Sequence, residues 1–219
     1  MNIKKIEITT RIHLLVFDTQ RDAASTFLRF EESYESPKFR GKTFSFDEFK
    51  KWYIKNSFKN KGRRNFTYYS DWTAFNIPSY VLRPFYAGKF DPLSAAEKSV
   101  LGIFKNEPEP FYIIGVHKQT KNLRSVLDHE IAHGLFYIDR NYRREVIKLL
   151  AKFDIKPIKE EIRSGGGYHE ETLDDEIQAI IIDEDEKYDE LIPSALAKSL
   201  KRLYKKYSKI NDIQFPTIK

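Results

Sequence analysis

The spacing of hydrophobic and polar residues along the chain predicts a mixture of strands and helices. Residues 6–17 alternate loosely between apolar and polar, and residues 111–117 are a short run of β-forming residues, so we predict a strand at each. Residues 65–80 are rich in aromatic and β-branched residues but contain Pro78, which predicts a strand followed by a loop. Apolar residues recur at helical spacing in 21–33, 44–58, 91 to just before Pro108, 122–137, 141–153, 172–182 and 189–207. Because the order lacks regular strand–helix–strand alternation, we predict an α+β fold with a small mixed sheet.

A proline-containing linker near residue 106 is the best candidate for a domain boundary. It would separate an N-terminal α/β lobe of unknown function, residues 1–106, from a second lobe, residues 107–219. One continuous domain is the alternative, because 219 residues are compatible with either organisation.

The composition narrows the classes of protein. Hydrophobic residues make up 41% of the chain, which is enough to build a core, and there is no cysteine. Disulfides, thiolate metal ligands and a cysteine nucleophile are thereby excluded. The longest apolar run near the N-terminus, residues 14–17, is too short for a signal peptide, and no run approaches a membrane span. We therefore expect a cytoplasmic protein with no membrane partner.

The charge is unevenly distributed along the chain. The net charge is +6, with basic residues concentrated in 50–64 and acidic residues in 170–190. In the basic segment the lysines and arginines alternate with Trp52, Tyr53 and Phe58, a pattern compatible with nucleic-acid binding. An amphipathic helix with a solvated lysine face is the favoured interpretation, so nucleic acid is the less favoured partner.

The clearest chemical signal is the segment His129-Glu130-Ile131-Ala132-His133. Two histidines four residues apart on a helix project from the same face, where both imidazoles can bind one Zn²⁺. Glu130 follows the first histidine and can reach a water held by the metal, for which it would act as general base. The pattern therefore predicts a zinc cofactor and metal-assisted hydrolysis.

The residues around this motif are uncharged, and the segment resembles the extended signature of the zincin metallopeptidases. The resemblance implies a zincin-like catalytic lobe, an active-site helix at 122–137, and a peptide or protein substrate. It also implies that the strand at 111–117 could pair with extended substrate, although an ordinary core strand is equally compatible with its composition.

The resemblance offers two candidates for the third zinc ligand. In the metzincin pattern a glycine and a histidine follow three and six residues after the second motif histidine, where this chain has Phe136 and Asp139. In the gluzincin pattern a glutamate on a later helix is followed by alanine three residues on, as are Glu176 and Ala179. Glu176 also falls inside the apolar stripe of its predicted helix, where a carboxylate is costly unless it is paired or binds a metal. We therefore predict a gluzincin-like site with Glu176 as ligand, and an ion pair with a buried Lys or Arg is the alternative.

Two further residues are candidates for stabilising a developing oxyanion. Tyr168 and His169 follow a glycine-rich loop and precede the predicted ligand helix. His169 could instead be a metal ligand, and a helix-capping or surface role is the alternative for both.

The motif leaves one functional alternative of a different class. A regulatory or nucleic-acid-binding protein with a zincin-like fold could keep the metal for structural purposes. Retention of Glu130 favours the peptidase, because structural zinc sites use four protein ligands and no base.

Overall fold

The computed structural model describes residues 2–57, 65–164 and 169–218, and within them the fold is mixed α+β. The strands are β1 (Ile3–Thr9), β2 (Ile12–Phe17), β3 (Ala74–Pro78) and β4 (Tyr112–His117). The helices are α1 (Gln20–Tyr34), α2 (Phe46–Asn56), α3 (Tyr68–Asp71), α4 (Arg83–Tyr86), α5 (Ala95–Phe104), α6 (Leu123–Ile138), α7 (Arg140–Leu150), α8 (Lys156–Ser164), α9 (Leu173–Asp183) and α10 (Ser194–Ile210). Short 3-10 turns lie at Ser79–Leu82, Glu170–Thr172 and Glu186–Leu191.

The four strands form one mixed sheet in the order β1-β2-β4-β3. β1 and β2 are antiparallel, β2 and β4 are parallel, and β3 is antiparallel to β4. β4 lies inside the sheet and all six of its residues are buried, so it is a core strand and offers no free edge for substrate pairing. The sheet contains strands from both sides of residue 106, and the division into two lobes remains a prediction.

Helices cover both faces of the sheet. Successive side chains of a strand point to opposite faces, so each strand contributes residues to both packing layers. On β2, Leu14 and Val16 pack in a cluster with residues of α6, α7, α9 and α10. Leu15 and Phe17 belong to a second cluster that contains residues of α1, α2 and α5. The helix with the histidine motif and the helix α1 therefore cover opposite faces of the sheet.

Glycines allow α1 and α6 to approach the sheet closely. A Cβ atom on Gly115 of β4 would lie 2.4 Å from the ring of Phe27 on α1. A Cβ atom on Gly134 of α6 would lie 2.8 Å from Ile12 on β2. Side chains at these two positions would push both helices outward, so the two glycines help to set the positions of α1 and α6.

Several predicted elements differ from the structure. The single strand predicted at 6–17 is wrong: these residues are part of the β1–β2 hairpin, whose turn is closed by Thr9 Oγ1 accepting from the backbone of Arg11 and Ile12. Alternation continues through both strands of a hairpin, so the apolar pattern did not reveal the turn. The last helix begins at Ser194 after Pro193 instead of at 189, and α8 was not predicted. None of the described helices is long and apolar enough to cross a membrane.

The aromatic residues of the basic segment are largely part of the core. Tyr53 is buried, and Trp52 and Phe66 pack against the same cluster. Phe58 and the basic residues between 59 and 64 lie outside the described residues. Tyr53 is thus engaged in packing, and Trp52 and Phe66 are partly buried, so nucleic acid stays the less favoured predicted partner.

Candidate metal centre

α6 and α9 pack against each other and bring three predicted ligands together. His129 and His133 lie one turn apart on α6, with their Nε2 atoms 3.1 Å from each other. Glu176 on α9 faces both, at 3.8 Å from its Oε1 to His129 Nε2 and 3.5 Å from its Oε2 to His133 Nε2. This group could hold a metal ion, and it is the one group of three or more such side chains found among the described residues.

The burial of Glu176 follows from the apolar pattern of α9. Leu173, Ile177 and Ala179 are fully buried, and Glu176 lies among them with 3% of its surface exposed. Within the described part of the chain, its ion-pair partners are the two histidines, and no described Lys or Arg pairs with it. Asp139 has a different role, because its carboxylate caps α7 by accepting from the backbone of Asn141 and Tyr142.

Two aspartates of α9 hold the histidine rings in position. Asp183 Oδ2 lies 2.9 Å from His129 Nδ1, and Asp175 Oδ1 lies 2.9 Å from His133 Nδ1. With Nδ1–H donated to a carboxylate, each ring leaves Nε2 unprotonated for a metal. Asp175 lies off the apolar stripe of α9, a position that predicts a solvated side chain, but the structure buries it beside His133.

The distance between the two Nε2 atoms suits a bound cation. Two unprotonated nitrogens that face each other at 3.1 Å repel unless a positive charge lies between them. Two nitrogens bound to zinc at 2.0–2.1 Å in tetrahedral geometry are separated by roughly 3.3 Å. The donor set and its spacing therefore fit a tetrahedral metal ion.

The carboxylates around His129 and His133 favour the protonated, positively charged form of each imidazole. Burial lowers the pKa of His133, but the carboxylates of Asp175 and Glu176 outweigh it and raise that pKa well above its ordinary value. Burial also lowers the pKa of His129, and the hydrogen bond with Asp183 turns the net shift upward. Without a metal, protons supply the positive charge that this cluster of carboxylates attracts.

Glu130 is buried next to the three candidate ligands, and only part of the hydrogen-bonding capacity of its carboxylate is used among the described residues. The side chain of Asn76 donates a hydrogen bond to the Glu130 carboxylate, while Glu130 Oε2 has no hydrogen-bond partner among the described residues. Tyr112 in turn donates to Asn76 Oδ1, which orients the amide. Burial raises the pKa of Glu130, as is typical of a general base. Asn76 was not predicted, because only the pairing of β3 with β4 brings it to the motif helix.

The three ligands open onto a cavity of about 290 Å³. Its walls are formed by α1, by the segment that leads into β3, and by α6 and α9. Glu31 and Glu32 of α1 and its C-cap residue Glu35 line the same cavity as the histidines. These three glutamates were missed in the sequence, although Glu31 is four residues after the buried Phe27 and so continues the apolar face of α1.

Of the two predicted oxyanion residues, only His169 belongs to the described part of the chain. Tyr168 lies outside the described residues. His169 is half-exposed and accepts a hydrogen bond at Nδ1 from the backbone of Glu171, thereby capping a 3-10 turn. His169 is not among the described residues that line the cavity. Its hydrogen bond instead matches the alternative role of a helix cap.

We expect the two supporting aspartates to influence metal affinity without binding the metal. Asp183→Asn or Asp175→Asn weakens the acceptor for an imidazole N–H, and each should lower zinc affinity by about 10- to 100-fold. Competition titration with a chromophoric chelator measures the change. Asp174→Asn, on the same helix but paired with Lys159 and not with either histidine, is the control and should leave affinity unchanged. Equal affinities for all three variants would contradict the supporting role.

The metal-free protein should become less stable as the pH rises from about 4.5 to 8. Burial raises the pKa of Glu32 to about 7, and burial with the charge of Glu176 raises that of Glu35 to about 8. The folded protein thus retains protons that the unfolded chain releases, so the free energy of unfolding falls across this interval. Urea denaturation of chelator-treated protein at a series of pH values measures the slope. Glu35→Gln should flatten it, and a slope that is unchanged in this variant would contradict the assignment.

Comparison with protein-family models, curated proteins and solved structures gives no match to this chain. Interpretation of the site therefore depends on its residues and geometry.

Proposed function

We propose that the chain is a zinc-dependent metallopeptidase with a zincin-like, gluzincin-like site. The observation that carries the proposal is the position of Glu130. Its buried carboxylate has one oxygen without a hydrogen-bond partner among the described residues, and it lies beside two histidines and a glutamate that could hold one metal ion. A structural metal site needs no such base, whereas hydrolysis does.

The donor set supports zinc as the metal. Two imidazoles and one carboxylate, with no thiolate, match the ligands of hydrolytic zinc sites and leave one position open. Bound zinc would supply Lewis acidity, lowering the pKa of a water molecule and polarising the scissile carbonyl. His129, His133 and Glu176 would hold it, and Asp183 and Asp175 would keep the imidazoles in the required tautomer.

The protein groups then perform the proton transfers. Glu130 Oε2 accepts a proton as the water oxygen attacks the carbonyl carbon of the peptide. The same carboxyl group passes that proton to the amine nitrogen as the carbon–nitrogen bond breaks, which regenerates the base. Asn76 holds the other part of the Glu130 carboxylate in place throughout.

The test combines metal analysis with a cleavage assay. The purified protein should contain about one zinc per chain and cleave members of a mixed peptide library at neutral pH. Treatment with a chelator should remove the bound zinc and abolish cleavage, and addition of zinc should restore the zinc content and the cleavage activity. Zinc binding without cleavage of any peptide would favour the regulatory alternative, and absence of binding after zinc is added would contradict the proposal.

A further inference from the structure

Three glutamates at the C-terminal end of α1 line the cavity of the candidate metal site. We call Glu31, Glu32 and Glu35 the α1 carboxylate cluster, and all three line the cavity that also contains His133 and Glu176. Glu31 and Glu35 lie one turn apart on the helix, an arrangement of like charges that destabilises a helix even in water. Enclosure in a cavity increases the cost of negative charge. The arrangement of these carboxyl groups does not stabilise the fold. We therefore interpret it as a site for a ligand.

The described residues give the cluster hydrogen bonds but no Lys or Arg partner. Glu31 Oε2 accepts from the backbone N–H of Asn76 at 3.1 Å, and Glu32 accepts from Ser36 and Tyr68. None of the Lys or Arg ion pairs in the described part of the chain includes any of the three glutamates. The charge of the His133 imidazole favours the ionised form of Glu35. Among the described residues, no Lys or Arg therefore neutralises the cluster.

A second observation points to a ligand in the same cavity. Glu130, with 6% of its surface exposed, also lines it, and its Oε2 atom has no hydrogen-bond partner among the described residues. Among the described residues, the cavity thus combines carboxyl groups that have no Lys or Arg partner with a Glu130 oxygen that has no hydrogen-bond partner.

The spacing of the cluster favours an organic cation over a second metal ion. A metal needs several ligand atoms within a few ångströms of each other, and in the described residues only His129, His133 and Glu176 meet that condition. Ammonium and guanidinium groups carry three and five N–H donors, so they can bond to carboxylates that are more widely separated.

We propose that the α1 carboxylate cluster binds a positively charged nitrogen group of the peptide substrate close to the scissile bond. This inference rests on the proposed peptidase function. The group could come from a free amino terminus or from a Lys or Arg side chain, which share the same recognition chemistry. The cluster would then decide which peptides enter the site, while α6 and α9 carry out hydrolysis.

Four amino-acid hydroxamates separate the two sources of charge. Lysine hydroxamate carries both cations, N-acetyl-lysine hydroxamate only the side-chain cation, norleucine hydroxamate only the α-ammonium, and N-acetyl-norleucine hydroxamate neither. Their affinities for the zinc-loaded and the metal-free protein are measured by calorimetry and NMR titration. These are binding measurements, so they do not depend on hydrolysis. We expect at least one cationic probe to bind about tenfold more tightly than the uncharged probe.

Variants of the cluster show whether it is responsible. Glu35→Gln and Glu32→Gln should each abolish the tenfold preference, and both should fold because they remove buried like charges. Glu160→Gln, on the exposed face of α8, is the matched control and should keep the preference. Thermal unfolding verifies the fold of each variant, and two single variants keep the test valid if one is unstable.

The outcomes separate this inference from the proposed function. A cation preference that disappears in the cluster variants supports the inference, even if no library peptide is cleaved. Equal binding of the four probes, no binding of any probe, or a preference that survives in both cluster variants would overturn it, even if the protein is an active peptidase. A second zinc per chain that is lost in Glu35→Gln would also overturn it, because the cluster would then be a metal site.

Discussion

Glu130→Gln should reduce peptide hydrolysis by about a hundredfold to ten-thousandfold while leaving zinc content and fold unchanged. Glutamine has nearly the same shape as glutamate and can keep the hydrogen bond with Asn76. It cannot accept a proton from water at neutral pH. Because Glu130 is not among the three grouped ligands, zinc should remain bound at about one per chain. The measurement is the initial rate on the best library peptide, with zinc determined on the same samples.

A matched substitution separates loss of the base from a general effect of changing charge. Glu160→Gln makes the same chemical change on α8, away from the cavity, and should retain full activity. If Glu130→Gln cleaves as fast as the parent protein, Glu130 is not the base, and the proton transfers must be assigned to other groups.

Glu176→Ala should lower zinc affinity by more than about a hundredfold, because loss of a direct ligand exceeds the effect of losing a supporting hydrogen bond. The two histidines that remain make a weak site on their own. Titration with a competing chelator gives the affinity, and circular dichroism shows whether the helices are intact. Peptide cleavage should fall in parallel at limiting zinc and recover in part when zinc is in excess.

Asp139→Ala is the informative comparison for Glu176→Ala. Asp139 caps α7 and accepts a hydrogen bond from Asn211. Its loss should therefore reduce stability by about 1 kcal/mol without changing zinc affinity. Weak zinc binding in Asp139→Ala together with tight binding in Glu176→Ala would reverse the ligand assignment.

The three side chains that could hold a metal ion can be found from the sequence, because each is marked by a local pattern. His129 and His133 are defined by their four-residue spacing on one helix, which fixes their relative geometry without tertiary information. Glu176 lies in the apolar stripe of α9, and a charged residue in such a stripe indicates pairing or metal binding. The same argument applied to α1 would have identified Glu31, which continues the face of Phe27.

Other parts of the site depend on contacts between distant segments. Asn76 reaches Glu130 because β3 pairs with β4 at the edge of the sheet, and no local pattern determines that pairing. Asp175 and Asp183 support the histidines because of how α9 crosses α6, which depends on packing of the two helices. The hairpin of β1 and β2 could not be predicted, because a turn of two residues does not interrupt the alternation of apolar and polar residues.

X-ray diffraction from zinc-loaded crystals, recorded on both sides of the zinc absorption edge, should locate the metal. We expect one anomalous peak per chain at about 2.0–2.2 Å from His129 Nε2, His133 Nε2 and a carboxylate oxygen of Glu176. A water molecule should lie between that peak and Glu130 Oε2. A peak bound by other residues, or no peak between α6 and α9 in crystals that contain zinc, would show that these side chains do not form the proposed zinc site.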